Sequence, residues 1–86
     1  MAALTGAPDA IGELLELTEL PRGAEVLGPV LVDVRPGEPP AERVLVRVPR
    51  RDGAVLARAL HAAAAVRSAR KAAAAVRIEL DPVVIG

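Results

Sequence analysis

The chain contains no tryptophan, tyrosine, phenylalanine or cysteine among its 86 residues. Without aromatic rings, a core has to be built from valine, leucine, isoleucine and alanine. Without cysteine, disulfides, thiolate zinc sites and cysteine nucleophiles are excluded. No apolar run approaches the roughly 18–20 residues that span a bilayer, and the first residues lack the regions of a signal peptide. We therefore expect one small cytoplasmic domain with no membrane partner.

Histidine, cysteine and serine, the residues that most often bind zinc or act as nucleophiles, are nearly absent as well. His61 is the only histidine and Ser68 the only serine, so a conventional zinc site has too few ligands and no nucleophile has a base at a recognisable spacing. No glycine-rich phosphate-binding motif and no H-E-x-x-H motif occurs. We expect no enzyme activity in this chain, and we expect His61 to be an exposed or half-packed side chain of a helix.

Charge is distributed unevenly along the chain, although the formal net charge is zero. Residues 1–33 carry six acidic side chains and one basic one, whereas residues 43–77 carry nine basic side chains and one acidic one. Such asymmetry is typical of proteins with a polyanionic partner. The alternative is that the basic residues, nearly all of them arginine, only solvate the surface.

The apolar periodicity predicts two helices, at 8–20 and 52–67. Asp9 is the expected N-cap of the first helix, and Asp52 is the expected N-cap of the second. The acidic face of the first helix, which includes Glu13, is either solvated or paired with the basic half of the chain.

Three strands are predicted, at 24–34, 43–49 and 75–81. Gly28 and Pro29 interrupt the first strand, which is therefore bent or lies at a sheet edge, because proline cannot donate to a ladder. In the second strand valines alternate with Arg43 and Arg47, so these arginines face away from the core. A proline-rich loop joins these two strands into an antiparallel hairpin. The fold class is thus α+β, a small open-faced sandwich of a mainly antiparallel three-stranded sheet and two helices.

The hexapeptide AAAAVR occurs twice, at 62–67 and 72–77. A helix continued through the first copy at about 100° per residue would place Arg67 and Arg70 on its apolar stripe, unless the side chains snorkel. We therefore expect the helix to loosen near Arg67, with cations around its C-terminus, where the dipole favours them. The second copy leads into the alternating pattern of a strand, so the repeat is not a functional duplication.

Four segments, in this order, resemble the C-terminal domain of the primosomal protein N′ (PriA) family of replication restart helicases. They are V-L-G-P at 26–29, the strand running into proline and basic residues at 43–51, S-A-R-K at 68–71 and the closing D-P at 81–82. The resemblance covers about residues 24–86 well and the first helix loosely.

The resemblance implies a ferredoxin-like module that helps to bind branched or forked DNA. It also implies binding of the acidic tail of single-stranded DNA-binding protein during primosome assembly. The family's helicase lobes and its cysteine-rich zinc insertion have no counterpart here. ATP and zinc therefore belong to other parts of the resembled proteins, and we expect no cofactor in this chain.

The candidate site residues fall into two sets. For DNA they are Arg67, Arg70 and Lys71 after the second helix, with Arg43 and Arg47 on the sheet. For the partner's tail, the resemblance places Arg51 at a position suited to clamping a carboxylate, with Arg50 beside it. Each set has a plainer interpretation, as a solvated helix end or a charged turn. Arg77 either extends the basic surface of the sheet or pairs with Glu79.

Two classes of function remain open from the sequence. The first is a DNA- and partner-binding accessory domain of a restart protein, associated with the nucleoid. The second is a structural module that docks on the remaining helicase domains of a parent protein. A free-standing RNA-binding domain of ribosomal type is a more distant alternative. In each nucleic-acid case the lack of aromatic residues favours phosphate contacts over base stacking.

Overall fold

The computed structural model describes residues 1–70 and 75–80. In chain order, the elements within these residues are β1 (Ala2–Gly6), α1 (Pro8–Leu17), β2 (Glu25–Val32), β3 (Ala41–Arg47), a 3₁₀ turn (Arg50–Asp52), α2 (Gly53–Ala69) and β4 (Arg77–Leu80). The strands form one antiparallel sheet in the order β2-β3-β1-β4. Both helices pack on one face of the sheet, so the predicted open-faced α+β class is confirmed.

The prediction of three strands is wrong, because it omits β1. This strand pairs with both β3 and β4 and therefore lies inside the sheet. Its Ala2 and Leu4 side chains are completely buried. Alanine and glycine are depleted from strands, so the sequence AALTG carries little local preference for this structure. Pairing on both sides and burial under the helices decide it.

The valine-rich strand β3 confirms the predicted alternation. Val44 and Val46 are buried, while Arg43 and Arg47 are exposed. The strand covers residues 41–47 rather than the predicted 43–49. It pairs with β2 on one side and β1 on the other, which confirms the predicted hairpin with β2.

Strand β2 is bent and lies at the edge of the sheet, as predicted. Its pairing with β3 shifts between Leu27 and Val30, and the peptide bond between Gly28 and Pro29 is cis. Gly28 has a φ of +104°, and a Cβ added there would lie 3.0 Å from the carbonyl oxygen of Arg43. Both the dihedral angle and the space therefore require glycine.

Helix α1 ends at Leu17 rather than at the predicted residue 20. Pro8 occupies its first turn, where the missing N–H needs no partner, and Ala7 rather than Asp9 is the N-cap. Just beyond the helix, the buried hydroxyl of Thr18 donates to the carbonyl oxygen of Leu14 at 2.6 Å. This bond gives the buried hydroxyl its hydrogen-bond partner.

Helix α2 continues past the predicted end at residue 67. Asp52 occupies the N-cap position, although its side chain makes no capping hydrogen bond. One face of α2 is buried and consists of Leu56, Leu60, Ala63 and Arg67. The first AAAAVR copy is therefore helical throughout. Much of the second copy lies outside the described residues, and its Arg77 opens β4.

The core fills the space between the helices and the covered face of the sheet. Its buried members are Ala2, Leu4, Ile11, Leu14, Val44, Val46, Leu56, Leu60 and Ala63. All are aliphatic, as the composition requires. The opposite face of the sheet, which we call the open face, has no helix over it within the described residues.

Candidate nucleic-acid interface

Arg67, the first residue predicted to contact DNA, lies inside α2 and points toward α1. Its side chain is 8% exposed, and its Nε donates to Oε1 of Glu13 at 3.1 Å. Arg67 follows Ala63 by one helical turn on the buried face of α2, so its stem packs beside the core while its head group meets the carboxylate. Of the two alternatives for the acidic face of α1, the structure shows pairing for Glu13. The guanidinium of Arg67 thus already joins the two helices.

Arg70 is the C-cap residue of α2 and is exposed. Its backbone N–H donates to the carbonyl oxygen of Val66 at 3.0 Å, and its cationic side chain lies at the negative end of the helix dipole. Lys71, predicted to act with it, lies outside the described residues, as does the D-P pair at 81–82. Of the three cations predicted to bind DNA near the end of α2, Arg67 is buried, Arg70 is exposed and Lys71 is not described.

Arg50 and Arg51 occupy the 3₁₀ turn between β3 and α2. Pro49 ends the extended backbone of β3, and the turn places both side chains in solvent at the N-terminal end of α2. Neither makes an ion pair with another of the described residues. Two free guanidiniums at a helix N-terminus are an arrangement that can hold a carboxylate.

Three residues on three neighbouring strands form a line across the open face. The register places Arg43 of β3 and Arg77 of β4 each directly opposite Thr5 of β1, and opposed residues project from the same face. The Nε of Arg43 donates to Oγ1 of Thr5 at 3.4 Å. The Nε of Arg77 lies 3.5 Å from Oε1 of Glu79, which is the predicted pairing. We call Arg43, Thr5 and Arg77 the open-face row.

Arg47 lies on the same open face, farther along β3. Its register partner is Glu25 of β2, so an opposite charge neighbours it across the strands. Between Arg47 and the open-face row, Leu45 of β3 lies opposite Leu27 of β2 and Ala3 of β1. On the other side of β1, Glu79 of β4 lies opposite Ala3. The open face therefore has a cationic end, a middle that is aliphatic apart from Glu79, and a mixed-charge end.

Sequence reasoning found the arginines of the open face but missed Thr5. The threonine lies in the strand that was not predicted, so no period-2 pattern drew attention to it. The alternation of small apolar residues with other residues in AALTG is the pattern of a strand. Five residues are too few for this alternation to predict a strand by itself.

Other kinds of site find no support among the residues described. No group of three histidine, cysteine or acidic side chains within 1–70 and 75–80 is placed to hold a metal ion. His61 is exposed on α2, as predicted. Neither helix in the described part of the chain has the length and apolarity needed to cross a membrane.

The whole chain is similar to known proteins. Residues 1–83 match the family model described as primosomal protein N C-terminal domain. A probable replication restart protein PriA of Mycobacterium leprae is 42% identical over 93 aligned positions, which cover 100% of this chain and 14% of that protein. No solved structure matches the chain significantly. The family match includes β1 and α1, and so extends further toward the N-terminus than the sequence resemblance did.

Proposed function

Because the chain belongs to the primosomal protein N C-terminal domain family, we propose that it is a DNA- and partner-binding domain of replication restart. In this role it contacts branched or forked DNA and the acidic tail of single-stranded DNA-binding protein during primosome assembly. It acts in the cytoplasm, on the nucleoid. In this proposal ATP and zinc belong to other parts of a longer restart protein.

The observation that carries the DNA part of the proposal is the exposure of the arginines. Seven arginines between residues 43 and 77 are exposed: Arg43, Arg47, Arg50, Arg51, Arg58, Arg70 and Arg77. Among the described residues, only Arg77 of these seven makes an ion pair with a carboxylate. Six guanidiniums are therefore free of a described carboxylate, which is the condition for contact with phosphates.

Arg67 is better suited to hold the fold together than to contact DNA. A phosphate would have to compete with Glu13 for a side chain that is almost fully buried. We therefore propose Arg70, Lys71, Arg43 and Arg47 as the DNA-contacting members of the predicted set. The contact of Arg67 with DNA stays a prediction.

DNA contact by these side chains has a defined salt signature. If the domain neutralises three to five phosphates, the logarithm of the association constant should fall with the logarithm of the salt concentration with a slope of roughly −3 to −5. Fluorescence anisotropy of a labelled forked DNA, titrated at several salt concentrations, measures this slope. A slope near zero, or no binding at low salt, contradicts the proposal. Structured RNA as a competitor tests the ribosomal-type alternative, which requires it to displace the DNA.

The partner-tail part of the proposal relies on Arg50 and Arg51. A planar guanidinium binds a carboxylate with two parallel hydrogen bonds, and both side chains are free in the 3₁₀ turn. An acidic peptide with a free C-terminal carboxylate should bind the domain, and the Arg50→Gln/Arg51→Gln variant should lose this binding. The same peptide with an amidated C-terminus is the matched control, and equal binding of both peptides contradicts a carboxylate clamp.

A second candidate function is docking on other domains of a longer protein, and strand β2 favours it. Val30 is 57% exposed and Leu31 is 83% exposed, on opposite faces of this edge strand. The chain spans only 14% of the Mycobacterium leprae protein that it resembles. If β2 is a docking strand, the rest of that protein, expressed without the matching part, should co-elute with this domain and not with its Leu31→Asp variant. Equal co-elution of both, or of neither, argues against docking through β2.

A further inference from the structure

We propose that the open-face row is a binding site for the sugar-phosphate backbone of DNA, in which Arg43 and Arg77 hold one phosphate above the hydroxyl of Thr5. The inference rests on the proposed DNA-binding function. It locates the DNA on the face of the sheet opposite the helices, rather than at the end of α2. It also adds Thr5 and Arg77 to the residues that contact the ligand.

The register brings the two cations to one point. Neighbouring strands are about 4.8 Å apart, so the Cα atoms of Arg43 and Arg77 lie about 10 Å apart across β1. Arginine side chains are long enough to converge over the strand between them. An anion held above Thr5 is therefore within reach of both guanidiniums.

The hydrogen bond to Thr5 leaves the row prepared for an anion. Because Nε of Arg43 donates to Oγ1 of Thr5 at 3.4 Å, the terminal nitrogens of Arg43 remain available as donors. The threonine oxygen accepts this bond, so its own proton is free to be donated to a phosphate oxygen. The side chain of Arg77 is 77% exposed, and its contact with Glu79 is an exposed pair that a phosphate can replace at low cost.

The surroundings of the row favour a phosphate over a peptide. Strand β1 is paired on both sides, so its backbone cannot accept an added peptide strand in the manner of sheet augmentation. The row is completed on β2 by Val30, the register partner of Arg43, and it contains no carboxylate. The next residues on this face are Leu27, Leu45, Ala3 and Glu79, the ion-pair partner of Arg77. None of them offers an aromatic ring for a base. The contact is therefore to the backbone and is indifferent to sequence.

A further exposed cation precedes β4 in the chain. Strands β3 and β4 both begin at the end of the sheet where the row lies, and β4 is the next element of the chain after α2. Arg70 closes that helix and is exposed. Arg70 is therefore a candidate for a further phosphate contact beyond the row.

The test compares two variants that each lose two positive charges. Arg43→Gln/Arg77→Gln removes the cations of the row, and Arg22→Gln/Arg35→Gln removes two exposed arginines that have no assigned role. Each is titrated with a labelled forked DNA at several salt concentrations, and far-UV circular dichroism checks that both are folded. The row variant should lose about ten-fold or more in affinity, and its salt slope should become shallower by about 1, because the one phosphate held by the row is no longer neutralised. The control variant should change little in either quantity.

Two further titrations test the nature of the contact. The first asks whether DNA binds at a defined site or only through general charge, and the second asks whether the protein contacts the DNA backbone or the bases. Thr5→Val should weaken binding a few-fold at an unchanged salt slope, since it removes a donor but no charge. A single strand of abasic deoxyribose phosphates should bind about as well as a normal single strand of the same length, because no base is contacted.

The outcomes distinguish this inference from the function on which it depends. Equal losses in the two double variants, or a normal strand that binds far better than the abasic one, overturn the open-face row while DNA binding stands. No binding of any DNA by the wild type at low salt overturns both. An amphipathic acidic peptide that binds the open face while DNA does not would replace the inference by a peptide site.

Discussion

The ion pair between Arg67 and Glu13 should respond unequally to the loss of its two partners. The side chain of Arg67 is 8% exposed, whereas that of Glu13 is 45% exposed. Glu13→Ala leaves a buried guanidinium without its carboxylate, while Arg67→Met leaves a carboxylate that water still reaches. We therefore expect Glu13→Ala to destabilise the domain more, although it changes the more exposed residue.

The size of the difference follows from these exposures. Removing one partner of a fully buried ion pair costs about 3–5 kcal/mol, and the access of water around Glu13 lowers this to about 2 kcal/mol for Glu13→Ala. Arg67→Met keeps an unbranched apolar stem beside Ala63 and should cost less than about 1 kcal/mol. Since 1 kcal/mol shifts Tm by roughly 4–8 °C in a domain of this size, Glu13→Ala should melt about 8–16 °C lower.

The assay is thermal and urea unfolding followed by far-UV circular dichroism, because the chain has no aromatic residue to report by fluorescence. Glu16→Ala is the control. This residue is exposed on the same helix and has no ion pair among the described residues, so it should leave Tm nearly unchanged. The reasoning is refuted if Arg67→Met lowers Tm as much as Glu13→Ala or more.

The remaining predictions concern backbone geometry, buried polar groups and salt. Gly28→Ala should destabilise the domain by about 2–3 kcal/mol and Gly37→Ala by about 1 kcal/mol. Both glycines have a positive φ, but only at Gly28 would an added Cβ meet a neighbouring carbonyl oxygen. Comparison of the urea midpoints of the two variants checks this. Thr18→Val should cost about 1 kcal/mol by removing the buried bond to Leu14, and a neutral result in the same measurement would show that the bond adds nothing net. Raising the salt concentration should weaken DNA binding by wild type far more than it changes Tm, since the core is aliphatic and DNA contact is ionic.

Sequence reasoning succeeded where a strand or helix carries its own periodicity. The alternation of valine with arginine in β3 established both the strand and the exposed positions of Arg43 and Arg47. The Gly28-Pro29 interruption indicated the edge position of β2, because neither residue suits the middle of a sheet. Both features depend on nearest neighbours in the chain, and no tertiary information was needed to interpret them.

Prediction failed where a residue's structure depends on a partner distant in the chain. The helix was expected to loosen at Arg67 because a guanidinium on an apolar stripe has to be desolvated. Glu13, 54 residues away, supplies the compensating charge, so the helix continues to Ala69. The N-terminal strand was missed for the same reason, since its residues prefer a strand only when β3 and β4 are beside them.

The sequence by itself determined an aliphatic core, an α+β fold, an acidic first part and a basic second part of the chain, and membership of a family that the comparisons confirm. These properties follow from the composition and from the spacing of apolar residues along the chain, neither of which depends on which residues meet in the fold. Only the tertiary structure decided which cations are free: it buried Arg67 against Glu13 and aligned Arg43 and Arg77 across Thr5. The physical reason is that burial, pairing and convergence of charges are set by sheet order and helix packing, which join residues that the chain keeps far apart.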